Sequence, residues 1–372
     1  MGKIKSTIDA VIPLHNGEPY LQETVESLAA QTLKPSRIII VDDHSTDSSY
    51  ELAKSLPWTE VHKNPKSTGK CSSARNHGAG LATADYVMFS DQDDVYHPRH
   101  LELLAGVLDD NPQAPAAAAF YVPFRGNETP RYEVDGPAAY PESMWDVFPY
   151  SNFAEPSLVL FRRDIFRRVQ WNENFPGLAD HYIWLELTME GKIMRLPVKT
   201  VGRRLHETSY FMQMAQDPLS LARQWCEANE TLVNAYVQSC KDSGKVEFMK
   251  RRHKVGLAVR DVTQAAVEMN KKALEKNLAD LRALISKENR EFIDLVAGEL
   301  WIMLARAANE LKTGPGPGAY LFFLGGVTIS WPEAAEFFEK KIVAMRPGWR
   351  FYLKSPAIYN PRLLYRALVS KL

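Results

Sequence analysis

Cysteine is scarce in this chain, and the three present, Cys71, Cys226 and Cys240, are scattered. Odd in number and without metal-type spacing, they argue against a disulfide scaffold or a structural zinc site and fit a reducing compartment. Net charge is also missing. The 45 Lys and Arg balance 45 Asp and Glu over 372 residues, so nothing global points to nucleic acid as a partner. Long apolar runs are lacking too, the longest late one, Ala319 to Ile329, being too short to span a bilayer. At the start, Lys3 and Lys5 precede an apolar run that Asp9 breaks and Pro13 ends, so no signal peptide is read there. The opening Met1-Gly2-Lys3-Ile4-Lys5-Ser6 fits a myristoylation pattern, one loose enough for chance to explain it. A cytoplasmic location is expected.

What remains is the composition of an ordinary globular protein, 45% apolar and 24% charged, with length for one large domain and a smaller one. Ile8 to Pro13 reads as an apolar strand, followed by the loop Leu14-His15-Asn16-Gly17-Glu18 and a helix with apolar spacing at Leu21, Val25 and Leu28. The plan then repeats. Ile38 to Val41 form a β-branched strand that ends at Asp42-Asp43, with His44 to Asp47 supplying caps for a helix from about Ser48 to Leu56. Two strand-loop-helix units in succession imply a parallel sheet. Trp58 to His62 is a third strand candidate, and Cys71 to Ala84 a helix of small residues.

Asp85 to Pro98, DYVMFSDQDDVYHP, is the stretch around which the rest is organised. Tyr86 to Phe89 suit a central, doubly covered strand, and Asp91, Asp93 and Asp94 follow almost at once. Three carboxylates in four residues repel one another, and a cation such as Mg²⁺ or Mn²⁺ at the carboxyl end of a strand would offset that cost. The competing reading is a solvated acidic turn that caps a helix starting near Pro98. Further strands are expected at Ala116 to Val122 and Ser157 to Phe161, the latter leading into a short basic helix. Pro123 to Pro149, dense in Pro, Gly and Tyr, reads as a long ordered insertion or an acceptor-side loop rather than core. Asp180 opens a helix with the apolar face Ile183, Trp184, Leu187 and Met189, and Ile193 to Leu205 is extended and ends at His206. From Asp217-Pro218 to Lys312 the periodicity is helical, and Gly314 to Gly318 is a hard stop. Three parts follow: residues 1–215, a helical region at 216–313, and a tail at 314–372.

The first half, over roughly residues 7–210, closely resembles the family 2 glycosyltransferases, which have the GT-A fold. VIPLHNGEPYLQETVESLAAQTLKPSRIIIVDDHSTD looks like the family's opening strand, helix and second strand with paired Asp. SSARNHGAGLATADYVMFSDQDD is similar to its arginine-asparagine helix and Asp-x-Asp strand. The resemblance implies an α/β fold with a mostly parallel, Rossmann-like sheet flanked by helices. It also implies a nucleotide-sugar donor, bound by positions matching Pro13, His15, Glu18, Asp42 and Asp43, with Asp43 on the base and Asp42 structural. Arg75 matches a nucleotide-side arginine, whose alternative is a salt bridge to a neighbouring carboxylate, and Lys70 is close enough to help neutralise a diphosphate. Asp93 matches the metal ligand and Asp91 the residue nearer the ribose, with His206 resembling a late histidine that approaches the metal or diphosphate, a surface histidine being the alternative. Asp94 completes the motif or caps a helix. Asp180 matches the catalytic base, a plain N-cap aspartate being the competing reading, although Ala179 stands where members typically carry Glu.

These roles imply metal-assisted, inverting transfer of a sugar to a glycan or lipid-linked acceptor, in bacterial-type polysaccharide or glycoconjugate biosynthesis. Two alternatives are a catalytically silent scaffold and a sugar-phosphate nucleotidyltransferase; the loop after the first strand lacks the Gly-rich character the latter needs. Between residues 340 and 372, eight Lys or Arg and no acid interleave with Trp349, Phe351, Tyr352, Tyr359 and Tyr365. That tail reads equally as a peripheral contact with the inner face of a membrane and as a packing or homodimer contact.

Overall fold

A computed structural model describes residues 6–66, 71–126, 128–142, 154–173, 179–206, 243–268 and 270–287, with isolated positions between 230 and 300. The chain divides into two compact units, Met1–Asp146 with Asn152–Met212, and Val147–Ser151 with Gln213–Leu372. Lys70, Asp217-Pro218 and the tail at 314–372 lie outside the described residues.

In the first unit, β1 (Ile8–Leu14), β2 (Arg37–Asp42), β3 (Thr59–Lys63) and β4 (Tyr86–Phe89) alternate with α1 (Leu21–Ala29), α2 (Ser49–Ser55) and α3 (Cys71–Leu81). There follow β5 (Val95–Tyr96), α4 (His100–Asp110), β6 (Ala116–Phe124), β7 (Tyr140–Glu142), β8 (Val159–Arg162), α5 (Ala179–Glu190) and β9 (Ile193–Arg204). They build a nine-stranded sheet of order β3-β2-β1-β4-β8-β6-β9-β5, with β7 paired to β9. β1 pairs in parallel with both β2 and β4, so the chain leaves β1 towards one edge and returns on its other side. That reversal opens a crevice at the carboxyl ends of β1 and β4, the place where such sheets bind ligands. Antiparallel β8 then separates β4 from the parallel pair β6 and β9.

The apolar runs that predict the strands are the core: Val11, Ile12, Ile39, Ile40, Val87 and Met88 are fully buried. Asp9, which breaks the first run, is buried with them at the far end of β1. Its Oδ2 accepts from Arg37 Nη2 at 2.8 Å and from the N–H groups of Thr83 and Ala84 at 2.7 and 3.0 Å, pinning the turn before β4. α3 approaches β1 through Gly78, where a Cβ would stand 2.3 Å from Val11 Cγ1. The small residues of this helix therefore set its distance from the sheet.

Several boundaries move. The third strand begins at Thr59, because Trp58 holds a left-handed φ of 72° and is exposed. The basic segment after β8 is a 3-10 turn, Arg163–Arg167. Part of the expected insertion joins the sheet: Glu133 bridges to Lys199 and β7 pairs with β9, while Ser143 to Pro149 lie outside the described residues. On α5, Ile183, Trp184 and Leu187 are buried as their spacing predicts. In the second unit, α6 (Ser243–Val267) and α7 (Lys271–Ile285) pack together, with Val255, Val259 and Val262 of one and Leu274, Leu278 and Leu281 of the other buried. Asn270 caps α7, its Oδ1 accepting from Ala273 N at 3.1 Å. Among the described residues no helix is long and apolar enough to cross a membrane.

Two tests follow from this packing. Gly78→Ala gains about 1 kcal/mol of helix propensity but overpacks against Val11 at a cost of about 1–3 kcal/mol, so its urea midpoint should fall; an unchanged midpoint would mean that α3 can lift from β1. Burial also holds His100 at about 3 and His181 at about 4, so both rings stay neutral while the unfolded chain takes up protons near 6.5. Stability is complete above that value and drains as the pH falls towards 3 to 4, by about 2 kcal/mol per ring between pH 6.5 and 5. The melting temperature should accordingly drop from pH 7.5 to 5, and less steeply in His100→Gln; an identical slope in the variant would contradict a buried neutral ring.

Candidate active site

The loops at the crevice are built from side chains that act as backbone. Gln92, inside the acidic motif, accepts from His15 N at 2.8 Å and donates to His15 O at 3.0 Å, lacing the loop after β1 to the loop after β4. Gly17 lies under the same side chain, where a Cβ would be 2.6 Å from Gln92 Cδ. Pro13 is buried within β1 opposite Val41. The exposed Glu18 accepts from Ser48 N at 3.3 Å, at the head of α2. His15 Nδ1 sits 3.0 Å from Asp43 O.

The paired aspartates at the end of β2 are both buried and do different things. Asp42 Oδ1 accepts from Ser45 N at 3.2 Å and closes the turn. Asp43 Oδ1 accepts from Asn64 Nδ2 at 2.7 Å, and Asn64 also donates to Lys66 O and Ser73 Oγ. Asn64, which no sequence motif marks, thus fixes the orientation of the Asp43 carboxylate.

Arg75 joins the two halves of the site. Its Nη2 donates to Asp91 Oδ1 at 2.7 Å, and its Nη1 lies 3.5 Å from Asp180 Oδ1 and 3.3 Å from Cys71 Sγ. The salt-bridge alternative is thus realised, with both carboxylates at once. Arg75 is 4% exposed. Burial works against its charge, but Asp91 and Asp180 outweigh burial and hold the guanidinium firmly charged. It lies over the Trp171 ring at 4.7 Å. Trp171 in turn meets Phe89, Phe161 and Trp184 edge-on. Asn76, next in sequence, donates to Trp171 O and accepts from Trp171 N, both at 2.9 Å. The Arg-Asn pair of α3 thereby places one residue in the site and uses the next to hold its platform.

On the other side, Asp93 Oδ2 lies 2.8 Å from His206 Nε2, and the His206 ring packs on Tyr20 at 4.8 Å. Arg204 Nε donates to Asp93 O at 3.2 Å, its charge paired with Glu23 and its guanidinium packed against Tyr20 and Phe124. Asp94 does not cap α4, which starts at His100 without a side-chain cap. It is buried instead and accepts from Arg204 N at 3.4 Å. Burial, with Asp93 and Asp91 alongside, lifts its carboxyl well above the usual range.

Asp93 and His206 supply an oxygen and a nitrogen at one point, which fits a divalent ion that completes its shell with water and substrate oxygens. Asp91, the other carboxylate expected near the metal, has its Oδ1 engaged by Arg75. Among the described residues no group of three metal-type side chains gathers. A further carboxylate enters that no motif announces. Glu155, just before β8, pairs with Arg203. Its carboxyl is raised to about 7, burial being the largest cause; Arg203 opposes the rise, while Asp91, Asp180 and Asp93 add to it.

The Glycosyl transferase family 2 model matches residues 9–170. Among curated relatives, the uncharacterized glycosyltransferase EpsJ of Bacillus subtilis is 27% identical over 178 residues, covering 43% of this chain and 49% of its own. The uncharacterized glycosyltransferase YibD of Escherichia coli is 36% identical over 107 residues, 28% of this chain and 31% of its own. The poly(ribitol-phosphate) β-N-acetylglucosaminyltransferase TarP of Staphylococcus aureus is 30% identical over 129 residues, 33% of this chain and 39% of its own. The chain thus spans about half or less of the length of these relatives. Among solved structures, S. aureus TarS 1-349 in complex with UDP-GlcNAc superposes with a TM-score of 0.54 at 15% identity, over 82% of this chain and 90% of that one. That likeness shows the GT-A fold. Over residues 9–170, the chain is thus similar to glycosyl transferase family 2.

Proposed function

We propose that this protein transfers a sugar from a nucleotide-diphosphate sugar to an acceptor hydroxyl, with inversion at the anomeric carbon, in the biosynthesis of a polysaccharide or glycoconjugate. The observation that carries the reading is Arg75, whose one guanidinium reaches both Asp91 and Asp180, residues 16 and 105 positions away. Donor-side and acceptor-side carboxylates are thereby held at one cation at the end of β4.

In this reading the nucleotide lies against the ends of β1 and β2, with Asp43 accepting an N–H of the base while Asn64 holds its Oδ1. Asp180 takes the proton of the acceptor hydroxyl as that oxygen attacks the anomeric carbon. The bond from that carbon to the diphosphate oxygen breaks, and the nucleoside diphosphate leaves. A divalent ion on Asp93 and His206 would supply positive charge for the departing diphosphate. Arg75 fixes the direction of Asp180 before the acceptor arrives. A UDP-linked sugar is the first donor to try, because TarS of the same fold binds UDP-GlcNAc.

Purified protein should consume a nucleotide sugar, by transfer or by hydrolysis. Asp180→Asn should lower turnover by about 10²- to 10⁴-fold with donor affinity nearly intact; near-normal turnover would remove the base assignment. Arg75→Lys keeps the charge but loses the two-pronged reach, so it should lower turnover as well as melting temperature. Wild-type turnover in that variant would mean that Arg75 is only a structural cation.

A further inference from the structure

Glu155 has no role in the transfer scheme above, yet three separate ties fix where it stands. Ser157, two residues on, accepts the backbone N–H of Asp91 at 2.9 Å. Ala154, one residue back, accepts from the Trp184 indole at 2.8 Å, and Trp184 follows Asp180 by one turn of α5. Its ion-pair partner Arg203 immediately precedes Arg204, which donates to Asp93 O at 3.2 Å. Glu155 is therefore held between the arms that carry the donor-side carboxylate, the base and the diphosphate-side carboxylate. All three act on it electrostatically.

In a glycosyl transfer the sugar in transit must bridge the diphosphate and the base, so it passes through the space these arms enclose. The Glu155 side chain is 23% exposed and that of Arg203 22%, enough for each to meet a ligand without moving. A carboxylate accepts from hydroxyl groups and a guanidinium donates to their oxygens, and together the two match neighbouring hydroxyls on a pyranose ring. Tyr121, over which the Arg203 guanidinium lies at 5.2 Å, limits the directions Arg203 can take.

Resting on the transfer reading, we infer that Glu155, held by Arg203, is a specificity-determining residue that hydrogen-bonds hydroxyl groups of the transferred sugar of the donor. The class of ligand is the hexose of a nucleoside-diphosphate hexose. The nucleotide itself is bound elsewhere, at the ends of β1 and β2, and this separation makes the inference testable.

The test is isothermal titration of the full chain, with Mn²⁺, against UDP, GDP and dTDP, each free and as its hexose conjugates. Glu155→Gln should weaken binding of the preferred conjugate about tenfold and leave the free diphosphate within about twofold of wild type. Glu155→Asp, which keeps the charge but withdraws it, should alter which hexose is preferred. Intact binding of the free diphosphate also reports that each variant is folded. If free diphosphate and conjugate weaken together in Glu155→Gln, or neither changes, the sugar-reading role is wrong. If wild type binds none of these ligands, the transferase reading fails, and the role of Glu155 with it.

Discussion

The site depends on one buried positive charge. A guanidinium as enclosed as Arg75 carries a large desolvation cost, which is offset only when its partners are well placed. Asp91 and Asp180 meet it from one side and the Trp171 ring carries it on the other. A lysine would concentrate the charge in one strongly hydrated head and could not serve both carboxylates at fixed angles. The aromatic cluster behind Trp171 is thus a support for electrostatics as well as a hydrophobic core. Gly78 belongs to the same device, since the approach of α3 to β1 determines how far Arg75 reaches.

The crowding of carboxylates at the end of β4 is relieved by four different means. Asp91 is paired with Arg75 and Asp93 with His206. Asp94 is buried with its carboxyl pushed towards the neutral form, and Glu155 is matched by Arg203. Much of this compensation comes from the chain itself. Among the described residues the Asp93–His206 pair is the point proposed for a cation, and its two donor atoms would suit an ion that shares its shell with a diphosphate.

The parallel half of the sheet was legible because β1, β2 and β4 are buried and therefore read as apolar runs, that of β1 interrupted only by Asp9. The loops that follow them stood out because they begin where those runs stop, and so Asp42, Asp43, Asp91 and Asp93 could be named. Less could be read where function depends on distant pairing. Asn64 and Glu155 acquire meaning only from Asp43 and Arg203, partners that no local period announces. Asp94 looked like a cap because cap chemistry is local, whereas its contact with Arg204 spans 110 residues. The doublet Arg203-Arg204 at the end of a strand, just before His206, was the one local signal available for that side of the site.

The most direct test of this account is a thermal-shift panel of UDP, GDP, dTDP, ADP and CDP, with and without Mn²⁺, on wild type and Asp93→Ala. A ligand bound only by the folded state raises the melting temperature by mass action. The account predicts that one nucleotide stabilises wild type in a Mn²⁺-dependent manner and that Asp93→Ala loses the Mn²⁺-dependent part. No shift with any nucleotide, or a shift that Asp93→Ala retains in full, would contradict it.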